Sequence, residues 1–394
     1  MKTKKQTESD PTPLSKQLKS FLKENEKDHF NYVDEVNYTV STGSLQLDFL
    51  LNGGLKPGVN RYVGMNEGGK TSAALAVMKN FLETVPNSIG IFIKAEGRLS
   101  KEIIERSGVN LVKSEEEVKV GSCFVFSTNI YEAALTLVDT LVKDNPNNHK
   151  YMIIIDSIDG LIRRDDLHKS LDDSSKVAGG AVVASDFCKK SGIPLAVNGH
   201  LLLLISQVRA DIKIDPYSKA PVRQTTATGG NALLHITDVM LQFEPRWKQD
   251  DILENDRLAF HEVKNPRVGH YCRVSIKKCP TENTGTTVRY PIKYGQTGGK
   301  SIWTEKEIYP TLLSWEYLVQ KGAWLFVSED FKKVLEGCDI QIPDKFQGEK
   351  RFFEHLQDNP DLCKVVCSHF LKILSGDDID EALMDAEEVE VIND

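Results

Sequence analysis

The stretch RYVGMNEGGKTSAALAVMKNFL, Arg61–Leu82, decides how the rest of the chain is read. Gly64, Gly69, Lys70 and Thr71 satisfy the spacing G-x-x-x-x-G-K-[ST], with Met65, Asn66, Glu67 and Gly68 in the variable positions and Ser72 next. The order of elements is what phosphate binding requires. Arg61–Val63 reads as the end of a strand, and Ser72–Leu82 as a helix. Glycines let backbone N–H groups curl around phosphate oxygens, and the helix N-terminus adds positive potential. Lys70 then reaches the outer phosphates and the Thr71 hydroxyl is placed to ligate Mg²⁺. From average residue frequencies, the pattern arises by chance in on the order of one chain in a hundred of this size, before its strand and helix context is counted.

Working outward, short aliphatic or β-branched runs recur at Ile89–Ile93, Cys123–Phe126, Met152–Ile155 and Leu201–Ile205, separated by longer amphipathic segments. That alternation predicts an α/β fold: a mostly parallel central sheet covered by helices on both faces. Val239–Phe243, Glu262–Lys264, Tyr271–Lys277 and Thr287–Tyr294 read as antiparallel strands extending the sheet. Leu14, Leu18, Phe21 and Leu22 recur at helical spacing, so residues 1–38 are assigned to an N-terminal helical segment. The core then spans 39–304, a small α/β C-terminal domain with a helical stretch at Lys350–Leu374 spans 305–374, and an acidic tail spans 375–394. Two carboxylates stand out at strand ends. Asp156 closes YMIIIDS, where it can hold Mg²⁺ through Thr71 or water, or simply cap a turn. Glu96 closes SIGIFIKAE, where it can activate a water or lie as surface charge.

Composition excludes several classes. Hydrophobic residues at 40% and charged residues at 27% describe a globular chain, not a collagen-like or wholly disordered one. No apolar run approaches the roughly 20 residues of a membrane span. The N-terminus MKTKKQTESDPTP has no apolar stretch behind its basic residues, so a cytoplasmic product is expected. Seven Cys, an odd number without a dense framework, indicate reduced thiols. The net charge of -8 is concentrated in the tail: Ser375–Asp394 holds nine Asp or Glu and no Lys or Arg. Taking those nine from the 57 acidic residues of the whole chain leaves 48 against 49 basic ones. Cys363, Cys367 and His369 lie close together, but the first two at i, i+4 read as a buried helix face, and zinc would need a further ligand. His168 reads as an exposed histidine in a loop. Neither H-E-x-x-H nor G-x-S-x-G occurs.

Joined in order, STGSLQLDFLLNGGLKPG (Ser41–Gly58), GMNEGGKT, IFIKAEG, IIIDS, LISQVR (Leu204–Arg209), TGGNAL (Thr228–Leu233), EVKN (Glu262–Asn265), KGAWLF (Lys321–Phe326) and QGEKRFFEHLQDNPDLCKVV with the acidic tail resemble the RecA family of DNA recombinases. The resemblance covers Val40 to the end. It implies a RecA-like phosphate-loop ATPase core that uses ATP and Mg²⁺. Glu96 would be the hydrolytic base, Asp156 the magnesium-side carboxylate and Gln207 the sensor of the γ-phosphate. Lys264 would reach the γ-phosphate of a neighbouring subunit. Arg163–Lys176, including Arg164, matches the first DNA-binding loop, and the segment after Gln207 matches the second. That second segment carries Arg209, Lys213, Lys219 and Arg223 with Tyr217 interleaved, while Gly229 and Gly230 permit close backbone approach. Such a set engages phosphates without reading base edges.

The chain departs from the family pattern in places. Lys94 stands where an Asp is usual, and Ile103 where an adenine-stacking aromatic is usual, which leaves base selectivity open. Pro266 replaces a second interface lysine, with Arg267 beside it, and Ala259 and His261 replace basic residues. These departures suggest a divergent member, nearer in use to viral recombinases of the UvsX type.

The expected function is ATP-dependent strand exchange by a helical filament on single-stranded DNA, acting on homologous duplex DNA alongside a recombination mediator and a single-strand-binding protein, with no membrane partner. A regulatory or mediator ATP-binding module and a hexameric helicase remain the alternatives. The acidic tail should compete with DNA for basic surface. Deleting Gly376–Asp394 is therefore expected to tighten duplex binding at physiological salt; unchanged affinity and salt slope in a titration would refute this.

Overall fold

A computed structural model describes residues 13–31, 33–34, 36–97, 99–167, 179–209, 226–227, 230–338 and 340–375. The tail, His168 and most of both proposed DNA loops lie outside them. In chain order the elements begin with helices α1 (Pro13–Glu24) and α2 (Leu45–Leu50). Strand β1 (Gly58–Gly64), α3 (Lys70–Thr84), β2 (Ser88–Lys94), α4 (Lys101–Ser107), β3 (Leu111–Val112), β4 (Cys123–Ser127), α5 (Tyr131–Lys143) and β5 (Lys150–Asp156) follow. Next come α6 (Gly179–Val197), β6 (Leu201–Arg209), β7 (Thr226–Ala227), α7 (Gly230–Ile236), β8 (Val239–Phe243), β9 (Asp251–Leu253), β10 (Arg267–Lys278) and β11 (Thr287–Lys293).

The main sheet runs β11-β10-β8-β1-β6-β5-β2-β4-β3, with β7 on β6 and β9 on β10. From β8 to β3 every pairing is parallel. Its two faces are sorted by the period of two along each strand. Tyr62, Phe92, Ile154, Leu203 and Leu241 pack with Leu75, Met78 and Phe81 of α3. Ile91, Ile93, Ile153, Ile155, Leu202 and Leu204 pack with Ala134, Leu135 and Val138 of α5 and Phe187 of α6. Burial on both faces is why these strands read as continuous apolar runs.

The α/β reading with a mostly parallel sheet agrees with this architecture, and two strand assignments need correction. Val239–Phe243, expected antiparallel, is β8 and runs parallel to β1. The chain enters it from α7, a crossover that returns it in the same direction, and VMLQF carries the doubly buried pattern of a parallel strand. Glu262–Lys264, expected as a strand, is a turn between His261 and Asn265. The Asn265 amide holds it by donating to the carbonyls of Asn255, Leu258 and Ala259 at 2.9–3.1 Å. Strands β10 and β11 are antiparallel as expected.

Beyond the sheet lie α8 (Thr304–Ser314), β12 (Leu318–Lys321), β13 (Trp324–Val327), α9 (Glu329–Glu336), β14 (Lys345–Gln347), α10 (Gly348–Asp358) and α11 (Pro360–Ser375). The helical stretch expected at Lys350–Leu374 is thus two helices. Pro360 removes a donor and pushes Asn359 out of helical geometry, to φ -125° and ψ 70°. Strands β12, β13 and β14 form a separate antiparallel sheet. Its core of Leu318, Leu325, Phe331, Phe352 and Phe370 also takes in Leu45 of α2. Helix α1 keeps Leu14, Leu18 and Phe21 more than half exposed, so its apolar stripe is not covered by the described residues.

Two buried carboxyls join these layers. Glu307 Oε1 accepts from Ser44 Oγ at 2.5 Å and from Gln46 N at 3.0 Å, tying α2 to α8. Asp48 accepts from the Ser41 hydroxyl and from both the N–H and hydroxyl of Thr42 at 2.5–2.7 Å. Burial pushes both carboxyls up, Asp48 from 3.8 to about 7 despite its donors. An acid whose folded pKa lies above its unfolded one adds stability that is complete at low pH and lost as pH rises through the folded value. Between about pH 5 and about pH 8 the urea midpoint is therefore expected to fall, and to fall less in Asp48→Asn. Equal slopes for the two proteins would overturn this role of Asp48.

Candidate active site

Four adjacent parallel strands bring their carboxyl ends to one edge. Gly64 of β1 is in register with Gln207 of β6, and Asp156 of β5 with Lys94 of β2. Open α/β sheets bind ligands outside this edge, where the last side chains are free of the ladder. The expected residues Glu96, Asp156, Gln207 and Gly64–Ser72 all meet here.

The loop from Gly64 to Gly69 is shaped by two left-handed glycines. Gly64 has φ +155°, and a Cβ there would meet the Phe243 carbonyl at 2.4 Å. Gly69 has φ +92° and is the N-cap that precedes α3. Glu67 also takes a positive φ, and Gly68 N donates to Met65 O at 3.4 Å. The loop thus curls directly into the N-terminus of α3, where unpaired helix amides favour an anion. Lys70 Nζ donates to Gly64 O at 3.0 Å and Met65 O at 2.7 Å. Burial lowers its pKa, opposed by the nearby carboxylates of Asp156, Asp159 and Glu96.

Thr71 Oγ1 donates to Asp156 Oδ2 at 2.7 Å. Burial raises the Asp156 pKa, against the Thr71 hydrogen bond, and the Glu96 charge adds to the rise. A hydroxyl oxygen beside a carboxylate is the hard oxygen set that Mg²⁺ takes, so these residues fit that ion. Gln207 Nε2 donates to Glu96 Oε2 at 3.2 Å, and Gln207 N to Asp159 Oδ2 at 2.6 Å. One residue thus touches the proposed base with its side chain and a second carboxylate with its backbone.

A cavity of about 310 Å³ opens between Asn66, Thr71, Lys94, Glu96, Asp156 and Gln207. A second, of about 210 Å³, lies beside Gly69, Ser72, Ala73, Arg106, His270, Tyr290 and Ser301. Ile103 lines both. The pair suits a nucleotide, with phosphates in the first and the base in the second against an aliphatic side chain.

Lys264 lies on the exposed turn after His261 and is not among the residues that line either cavity. Arg267 is engaged within its own subunit: its Nε lies 2.6 Å from Asp251 and its guanidinium 4.1 Å from the Phe260 ring centre. Arg163 is partly buried and pairs with Asp165 at 3.1 Å, while Arg164 is exposed. Lys176, Lys213, Lys219, Arg223 and Gly229 lie outside the described residues, as does the side chain of Arg209. Gly230 is the first residue of α7. The second loop leaves and re-enters through a strand pair, Val208 opposite Ala227 and Arg209 opposite Thr226. Cys363 and Cys367 pack in the C-terminal core, and His369 Nε2 lies 2.9 Å from the Tyr317 hydroxyl. Among the described residues no helix is long and apolar enough to cross a membrane.

Sequence reasoning missed Asp159, Gly160 and Arg61. Asp159 was visible as the second acid of IDSID, but nothing marked it as a partner of Gln207. Gly160 backs onto Glu96, whose Cγ would lie 2.2 Å from a Cβ there. Arg61 is fully buried in β1, with its Nε donating to Ser206 Oγ at 2.8 Å.

The profile of the RecA N-terminal domain family matches residues 19–278. Protein RecA of Pseudomonas savastanoi pv. phaseolicola is 26% identical over 357 residues, covering 90% of this chain and 87% of that protein. Protein RecA of Nostoc sp. is 25% identical over 358 residues, covering 89% and 88%. Protein RecA of Blastochloris viridis is 27% identical over 260 residues, covering 66% of each.

The contact behind Glu96 is open to test. Gly160→Ala is expected to displace that carboxylate and slow nucleotide hydrolysis at least about tenfold, with nucleotide affinity held within about threefold. Hydrolysis at the wild-type rate would show that Glu96 need not stand where Gly160 holds it.

Proposed function

From the premise that the chain belongs to the RecA family, we propose that it is an ATP-dependent DNA strand-exchange protein. It assembles as a helical filament on single-stranded DNA and pairs it with homologous duplex. The observation that carries this reading is the Gln207–Glu96 hydrogen bond, because Gln207 sits in the strand that opens the proposed DNA loop. A group that contacts the hydrolytic base with its side chain and continues into a DNA-binding segment can couple the two events.

In this mechanism the backbone amides of Gly64–Gly69 and the Lys70 ammonium hold the β- and γ-phosphates. Thr71 and Asp156 would hold Mg²⁺, which when bound neutralises phosphate charge. Glu96 orients a water and accepts its proton as the new P–O bond forms and the bond to the ADP oxygen breaks. Gln207 contacts the γ-phosphate, and Asp159 fixes its backbone at the start of the loop. Arg209, Lys213, Lys219, Arg223 and the Gly229–Gly230 backbone bind DNA phosphates, joined by Arg163, Arg164 and Lys176 of the first loop. ATP can order the loop only by contacting the ordered state better, and Gln207 supplies that difference. At subunit contacts Lys264, on its exposed turn, reaches the neighbour's nucleotide.

The test is formation of joint molecules from homologous single-stranded and duplex DNA, with and without ATP. Pairing is expected to require both homology and ATP and to vanish in Lys70→Ala. Glu96→Ala should lower hydrolysis by about a hundredfold or more while ATP still binds. DNA-stimulated hydrolysis with no pairing by the wild type would instead indicate a mediator or a helicase, which a forked-duplex unwinding assay separates.

A further inference from the structure

Lys94 occupies an informative place that the mechanism above does not use. Its register partner across the sheet is Asp156, and paired residues of parallel strands point to the same face. Two residues back on each strand, Phe92 and Ile154 both pack in the core beneath α3. Lys94 and Asp156 therefore project on the α3 side, at the edge where the phosphate loop opens.

The charges around it make the case. The larger cavity is lined by two carboxylates, Glu96 and Asp156, and among the described residues Lys94 is the one cationic side chain that lines it. Lys70, which the mechanism places on the β- and γ-phosphates, donates to the carbonyls of Gly64 and Met65 and is not among the residues that line this cavity. Lys94 is partly buried, yet among the described residues its ammonium has no hydrogen bond or ion pair. A polyanion entering beside two carboxylates needs a compensating charge on that side, and charge-assisted hydrogen bonds in a partly desolvated site are strong.

The position also fixes which phosphate is involved. The smaller cavity lies beside Gly69 and Ser72, whereas Lys94 shares the larger one with Glu96 and Gln207. With the base in the smaller cavity, the terminal phosphate lies at the Lys94 end. We propose that Lys94 is a second phosphate-binding lysine, which contacts the γ-phosphate from its own subunit and makes the site discriminate triphosphate from diphosphate. This rests on the reading of the loop as a nucleoside triphosphate site.

The experiment is equilibrium binding of ADP and of a slowly hydrolysed ATP analogue to the full chain, by displacement of a fluorescent nucleotide. Wild type is compared with Lys94→Ala, the neutral and polar Lys94→Gln, Lys94→Arg and Lys70→Ala. Expected for Lys94→Ala and Lys94→Gln is a loss of about tenfold or more for the triphosphate and under about threefold for ADP, with Lys94→Arg within about threefold of wild type for both. Lys70→Ala should weaken both nucleotides. Equal losses for the two nucleotides, or no loss, in both neutral variants would overturn the assignment while leaving the nucleotide site standing. Wild type that binds neither nucleotide would overturn the site itself and this inference with it.

Discussion

Parallel strand pairing, with no freedom to slide, is the constraint on which the rest of this molecule depends. β1, β6, β5 and β2 are buried on both faces, so a slip of one residue would turn every apolar side chain to the wrong layer. The register is thereby fixed, and with it the level at which each strand stops. Gly64, Gln207, Asp156 and Lys94 are brought together from four distant parts of the chain by the packing of Tyr62, Leu203, Ile154 and Phe92 behind them. The chemistry is hung on the edge of a core that cannot shift.

That edge gathers charge. Burial moves Lys70 down and Asp156 up, and the attraction between the lysine and the carboxylates opposes both shifts without cancelling either. Hydrogen bonds hold the carboxylates apart in role: Asp156 on Thr71, Asp159 on the Gln207 backbone, Glu96 on the Gln207 amide. Each acid has one partner that orients it, which is what lets three carboxylates coexist in a small space.

Much of this was legible in the sequence, and for local reasons. A phosphate loop is written in contiguous residues because its geometry is made by glycines at fixed offsets, and the positive φ values of Gly64 and Gly69 are what lets the backbone curl there. Strands ending in Asp156 and Glu96 were visible as aliphatic runs with a terminal acid. What escaped depends on neighbours distant in sequence. The direction of β8 is decided by the α7 crossover, and the turn at Glu262–Lys264 by an asparagine amide reaching three carbonyls. Gly160 looks like any turn glycine until Glu96 is seen against it. Pro360 was in plain view, but two helices packed into one core read as a single amphipathic stretch.

The short pairing of Val208 and Arg209 with Ala227 and Thr226 has a consequence for how such a chain can change over generations. It holds Arg209 and Thr226 side by side, so the cost of joining them is one of loop closure. Closure entropy grows only logarithmically, about 0.6 kcal/mol for each doubling of length. Residues inserted into or lost from this loop would therefore hardly disturb the stability of the sheet that carries the nucleotide site. The segment proposed to face DNA is free to diverge at a pace of its own, while Gln207, two residues before the stem's last pair, stays tied to the slower drift of the core.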